Sequence, residues 1–178
     1  MELTRRDALA ALTSAGVVVG GGAAALARRE SLSFDSSGPD PATVVDTLVA
    51  VAEVVYPSAV SGVGDFVEAY SVERIRRRPD YRAGVREAVG DLNAYVAVHA
   101  DAETFAALDV ETRDVVLRRL GIDAAEPERE GTVSGRARYY LVNELLYALY
   151  TTPTGGELVG ISNPQGYPGG RTHAGRPE

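Results

Sequence analysis

Two histidines, His99 and His173, and a complete absence of cysteine set the chemistry open to this chain. Without a thiol it can build no disulfide, thiolate zinc site, cysteine-ligated iron–sulfur cluster, c-type haem attachment or cysteine nucleophile of its own. With only two imidazoles, a histidine-rich metal cage or a histidine-ligated pair of haems is hard to build. His99 falls on an apolar stripe at helical spacing and reads as a hydrogen-bonded core or boundary residue. Asp101 and Glu103 beside it read as helix-end polar groups. No serine or threonine stands in a nucleophile-elbow setting, and no carboxylate pair is placed for acid/base work. We therefore assign no catalytic, cofactor-binding or metal-ligating residue in this chain.

One glycine motif needs its own answer. Val17-Val18-Val19 followed by Gly20-Gly21-Gly22-Ala23-Ala24-Ala25 fits a strand leading into G-x-G-x-x-A, the dinucleotide fingerprint. That fingerprint requires a following helix, a second parallel strand and an acidic residue about 20 positions on. Residues 31–41 are instead a Ser/Pro/Gly/Asp stretch with no strand-like run after it, so the motif stands outside any βαβ unit.

The same residues read better as part of an address. Thr4-Arg5-Arg6-Asp7 precedes an uncharged Ala/Gly/Val-rich run over residues 8–27, which closes on Ala25-Leu26-Ala27 in the A-x-A arrangement of a signal-peptidase site. Paired arginines before a mildly apolar segment resemble the twin-arginine export signal, which a receptor reads through Arg5 and Arg6. About 20 apolar residues can span a bilayer, but Ala and Gly make this run weakly hydrophobic, which favours a cleaved or weakly anchoring signal over a committed span.

Charge narrows the partners. All 18 basic residues are arginine, 25 residues are acidic, and the net charge is −7, which argues against nucleic acid as a partner class. A lysine-free acidic surface suits a salt-rich, halophilic setting, and GC-rich coding produces the same bias toward arginine. Against this background Arg74, Arg76, Arg77, Arg78, Arg82 and Arg86 form a basic island around Pro79. Arg74, Arg78 and Arg82 have the spacing of neighbours on one helical face. They are candidates to dock an acidic partner surface or anionic headgroups. The plainer alternative is a solvated face balanced by Glu68, Glu73, Asp80 and Glu87.

The elements that must position these groups are helical. Asp40-Pro41 is a start signal, and Val44, Val45, Leu48, Val51, Ala52 and Val55 recur at helical spacing until Tyr56-Pro57. A second helix carries Phe66, Val67, Tyr70 and Ile75 up to Pro79. Asp80 is placed to cap a third, with Val85, Ala88, Val89, Leu92, Tyr95, Val96 and His99 as its stripe. Asp109 opens a short fourth helix closed by Gly121 in a left-handed cap. Residues 136–150 predict a central helix, with Tyr139, Val142, Leu146 and Leu149 on one face and Tyr140 and Tyr147 on another. The expected fold class is all-α: an irregular bundle of four to five helices, preceded by an N-terminal signal helix and followed by an extended Gly/Pro-rich C-terminal tail. Its expected divisions are a signal segment 1–27, a linker 28–40, a helical bundle 41–150 and an irregular tail 151–178. Leu158, Val159, Ile161 and Tyr167 are apolar anchors within that tail, which suits wrapping the bundle or lying along a partner.

In order along the chain, Thr4-Arg5-Arg6, Val54-Val55-Tyr56-Pro57, Leu145-Leu146-Tyr147-Ala148-Leu149-Tyr150 and the run from Thr151-Thr152-Pro153 to Gly166-Tyr167-Pro168-Gly169 resemble the gluconate 2-dehydrogenase subunit 3 family. The chain departs from that pattern in having no tryptophan in the Gly-rich ending. The resemblance implies a non-catalytic, membrane-associated small subunit of an oxidoreductase complex. Its partners would be a flavin-dependent dehydrogenase large subunit of the glucose–methanol–choline type that carries FAD, in some systems a cytochrome subunit, and the twin-arginine translocase. A different reading is a free-standing exported helical module holding a small ligand among Tyr70, Tyr95, Tyr140 and Tyr147.

Overall fold

The computed structural model describes residues 38–160 together with Arg29, Leu32, Phe34 and Asp35. Every regular element among them is helical, with no strand. Helix α1 (Pro41–Val55) begins where Asp40 accepts the Thr43 amide at 2.9 Å and Pro41 fills the first helical position. It ends before Pro57, and α2 (Val63–Arg77) folds back against it. Pro79 lacks the amide needed to continue α2 and suits the first turn of a new helix, so Arg78 is a one-residue joint between α2 and α3 (Pro79–His99). Asp80, expected to cap α3, instead lies in its first turn, because the proline has already taken the first helical position.

A 3-10 turn (Phe105–Ala107) leads to α4 (Val110–Arg119), which Asp109 caps through Thr112 and which Gly121, at φ 68°, closes. The central helix α5 covers residues 133–151 in three pieces: α-helical Val133–Ala137, a π turn Arg138–Asn143, and α-helical Glu144–Thr151. A short helix α6 (Pro153–Leu158) follows, with Thr152 capping it through Gly155. These six helices exceed the four to five expected, and α6 occupies ground assigned to the irregular tail. Thr152 and Pro153 are a cap and a first-turn proline, a local start signal that outweighs the two glycines behind them.

The core is apolar and shared by all the long helices: Val44, Leu48 and Val51 of α1, Val67 and Ile75 of α2, Val85, Val89 and Leu92 of α3, Phe105, and Leu141, Leu145 and Leu149 of α5 are buried. The expected faces of α5 are corrected by the π turn. Its extra residue shifts the helical phase by about one step of 100°. Tyr140 and Tyr147, seven apart and expected to share a face, separate: Tyr140 is buried, whereas Tyr147 is 56% exposed. Tyr139, expected with Val142 and Leu149, faces solvent while those two are buried. The carbonyl of Tyr140, within the π turn, accepts the Tyr81 hydroxyl at 3.2 Å, and that of Leu145 accepts Tyr56 at 2.7 Å.

Arginines clamp the helices together. Arg113 joins α4 to Glu53 of α1 at 2.5 Å, and Arg136 joins α5 to Asp91 of α3 at 2.5 Å. The segment expected to be a linker is also fastened. Arg29 reaches Asp46 at 2.6 Å and the buried Glu68 at 2.8 Å, and Leu32 is buried. Arg86 of α3 lies 4.5 Å over the Phe34 ring, pairs with Asp35 at 2.7 Å and donates to the Pro39 carbonyl at 3.1 Å. This strap ties the chain ahead of α1 to α1, α2 and α3.

Candidate functional site

The chemistry-bearing groups of the bundle converge where Tyr70 and Arg74 of α2 meet Glu144 of α5, beside the joint at Arg78. Glu144 is the one carboxylate in the apolar stretch 139–151 and is nearly buried, with its side chain 11% exposed. Arg74 donates from Nη2 to its Oε2 at 2.9 Å, while Arg74 Nε lies 2.6 Å from Oε1 without the alignment of a hydrogen bond. Tyr70 donates to Oε1 at 2.5 Å. The Arg74 guanidinium also lies 5.5 Å from the centre of the Tyr81 ring. Desolvation works to lower the Arg74 pKa, but the hydrogen bond and charge of Glu144 outweigh it and hold the group above its ordinary value. Breaking such a pair on one side leaves the other charge stranded, so its first role is structural.

Burial pushes the phenols around this pair upward. Desolvation dominates for Tyr56, Tyr70 and Tyr81, and at Tyr70 the Glu144 carboxylate adds to it. An unfolded phenol ionises near its ordinary value of 10.0, whereas these three stay protonated in the fold. Above that pH the unfolded state holds fewer protons than the folded one, so stability is intact below pH 10 and falls as pH rises past it. Each fully buried phenol contributes a slope of at most about 1.4 kcal/mol per pH unit, and Tyr70, which is part-exposed, contributes less. Denaturant unfolding at steps from pH 9 to pH 11 should show a steepening loss that is shallower in Tyr70→Phe. A flat profile across that window would contradict the burial of these hydroxyls.

Next to the pair is a cleft of about 220 Å³, lined by Arg77, Arg78, Arg129, Tyr139 and Tyr140 among others. Arg129 donates to the Tyr140 hydroxyl at 3.1 Å and lies 3.7 Å from Asp80. Arg77 is engaged with Glu73. Arg78 is exposed and makes no side-chain hydrogen bond or ion pair with the described residues. No side chain caps the α3 amide end that opens here.

The expected docking residues therefore divide. Arg74 turns inward as a clamp, Arg78 stands free at the cleft, and Arg82 sits half-exposed on the first turn of α3. Val159 packs half-buried against the core, and Leu158 ends α6. Arg5, Arg6, Ile161 and Tyr167 lie outside the described residues. Tyr70, Tyr95, Tyr140 and Tyr147 are engaged separately or exposed. Tyr70 bonds Glu144, Tyr140 meets Arg129, Tyr95 stacks on His99 at 4.1 Å, and Tyr147 faces outward. His99 is exposed rather than on the buried stripe, because the last turn of α3, residues 97–99, is exposed throughout; its Nδ1 lies 2.9 Å from the Tyr95 carbonyl. Sequence reasoning missed Glu144, Tyr81, Arg129 and the strap contacts of Arg29 and Arg86. A single carboxylate inside an otherwise apolar helix was the signal available for Glu144.

Among the described residues no group of acidic or histidine side chains is placed to hold a metal ion, and no helix is long and apolar enough to cross a membrane. Comparison with protein-family models, with curated proteins and with solved structures finds no match to this chain.

Proposed function

We propose that this chain is the non-catalytic small subunit of a flavoprotein sugar or alcohol dehydrogenase complex, assisting the maturation and twin-arginine export of an FAD-carrying catalytic subunit of the glucose–methanol–choline type. The observation that carries the reading is the strap. An escort must couple an export address mechanically to the body that holds its cargo. Here the residues directly behind the candidate signal are bound to three helices through Arg29 with Asp46 and Glu68, and through Arg86 with Asp35 and Phe34. A loose spacer would need none of these contacts. The order of motifs along the chain, from Arg5-Arg6 to Tyr167-Pro168-Gly169, supports the same reading. On this reading the chain is extracytoplasmic and membrane-associated, through the complex or an uncleaved signal segment.

The test is purification of the tagged chain from its native membranes, with mass spectrometry and a visible absorption spectrum, alongside the isolated mature chain from about residue 28. We expect a flavoprotein dehydrogenase at a fixed ratio in the native preparation, and a strongly helical isolated chain without bound flavin. Stoichiometric flavin on the isolated chain, or a native preparation holding this chain alone, overturns the proposal.

A further inference from the structure

We infer that the face formed by the C-terminal half of α2, the Arg78 joint and the outer side of α5 is the surface on which a carboxylate-bearing protein partner docks. The inference rests on the partner reading above and adds to it a place and a chemistry.

Three tyrosines of α5 are exposed, Tyr139 at 39%, Tyr147 at 56% and Tyr150 at 49%, and Tyr139 lines the cleft. Glu144, between Tyr139 and Tyr147 in α5, meets Tyr70 and Arg74 of α2, and the Tyr140 carbonyl accepts the Tyr81 hydroxyl of α3. The π turn makes the row possible. Tyr139 and Tyr147 are eight residues apart, which on a regular helix separates them by about 80°, and one residue absorbed in the π turn returns them to nearly one line.

At the Tyr139 end the row runs into the arginine cleft. Arg77 is 73% exposed and Arg129 50% exposed, and Arg78 has no internal partner among the described residues. Asp80, in the first turn of α3, and Glu73, paired with Arg77, offset part of the positive charge there. Arg29, Arg74, Arg113 and Arg136, by contrast, are engaged in clamps between elements. An unclamped arginine and two flanking ones beside exposed phenol rings is the composition of interface anchors, in which tyrosine and arginine dominate binding.

Charge complementarity selects the occupant. In a chain of net charge −7 this face carries a cluster of arginines, so it attracts carboxylates, while the like net charge of two copies opposes self-association. The tyrosines add a flat amphipathic area that suits a folded protein surface better than a solvated headgroup layer.

The test uses the full chain co-expressed with the flavoprotein that the native purification identifies. Arg78→Glu combined with Arg77→Glu, and separately Tyr147→Ala, should each weaken the complex at least tenfold in a titration, and the wild-type affinity should fall as salt is raised. All these side chains are exposed; the melt of Tyr147→Ala alone should match the wild type, and that of the charge variant should fall only slightly through loss of the Arg77–Glu73 pair. A wild-type complex that is indifferent to both variants overturns the docking face while leaving the proposed function standing. Failure of the wild type to bind any flavoprotein removes both. Sedimentation showing wild-type self-association lost in Arg78→Glu, or binding to phosphatidylglycerol vesicles lost in the same variant while the flavoprotein complex persists, reassigns the face and overturns the inference.

Discussion

Gly84→Ala should destabilise the protein by about 2 kcal/mol, while Gly90→Ala, two turns further along the same helix, should stabilise it by up to about 1 kcal/mol. Helix propensity favours alanine at both positions, since glycine in a helix interior costs roughly 0.5–1 kcal/mol relative to alanine. Packing decides the sign. A Cβ on Gly84 would stand 2.0 Å from Cζ and 2.4 Å from the hydroxyl of Tyr140, far inside van der Waals contact. Tyr140 has little freedom to yield, being buried, bonded by Arg129, and packed against Tyr81 with centroids 6.0 Å apart. A Cβ on Gly90 would meet its nearest neighbour, Pro39 Cδ, at an ordinary 3.6 Å. Overpacking of about 1–3 kcal/mol or more therefore exceeds the propensity gain at Gly84 and is absent at Gly90. Thermal or denaturant melts of the two variants give opposite shifts if this is right. Shortening the offending ring in Gly84→Ala/Tyr140→Leu should recover part of the loss, so that the double variant is more stable than the two single effects added together. Melts that move in the same direction for both alanines would show that the α3–α5 contact is not as close as described.

If the chain acts as proposed, replacing Arg5 and Arg6 together with lysine should hold it inside the cell, and its proposed flavoprotein partner with it. The substitution keeps both positive charges and the Ala/Gly-rich segment over residues 8–27, so the hydropathy and the charge seen by the bilayer are unchanged. What changes is the planar, multiply donating guanidinium, which a receptor distinguishes from an ammonium point charge. Fractionation with antibodies to both proteins is the measurement. Retention of this chain alone would show that the flavoprotein carries its own address, and undiminished export of both would remove the twin-arginine assignment. The strap connects this result to the fold. Arg29 is paired with Asp46 and Glu68 and Leu32 is buried, so the described part of the chain ahead of α1 is held on the bundle.

Local chemistry written in the sequence determined where helices begin and end. Asp40 with Pro41, Pro57, Pro79, Asp109 and Gly121 act through their own backbone or through atoms within three or four residues, and an apolar stripe at a 3.6-residue period needs no distant partner to be read. The lack of thiols likewise follows from composition, as does the basic island in an acidic chain. Tertiary structure alone decided the rest. Glu144 and Arg74 are 70 residues apart, and Arg86 and Asp35 are 51 apart, so their pairing depends on how the helices pack rather than on any spacing. That packing split the basic island into an inward clamp at Arg74 and an outward cation at Arg78, a division invisible to a count of charges. It also set the phase of α5. A π turn costs hydrogen-bond regularity that no local propensity repays, and it persists where the Tyr81 hydroxyl satisfies the Tyr140 carbonyl and Tyr140 fills the space that Gly84 leaves open. Which tyrosines of residues 136–150 face water was thus settled by partners on α2 and α3, about sixty or more residues earlier in the chain, because burial is a property of the assembled core and not of the segment that enters it.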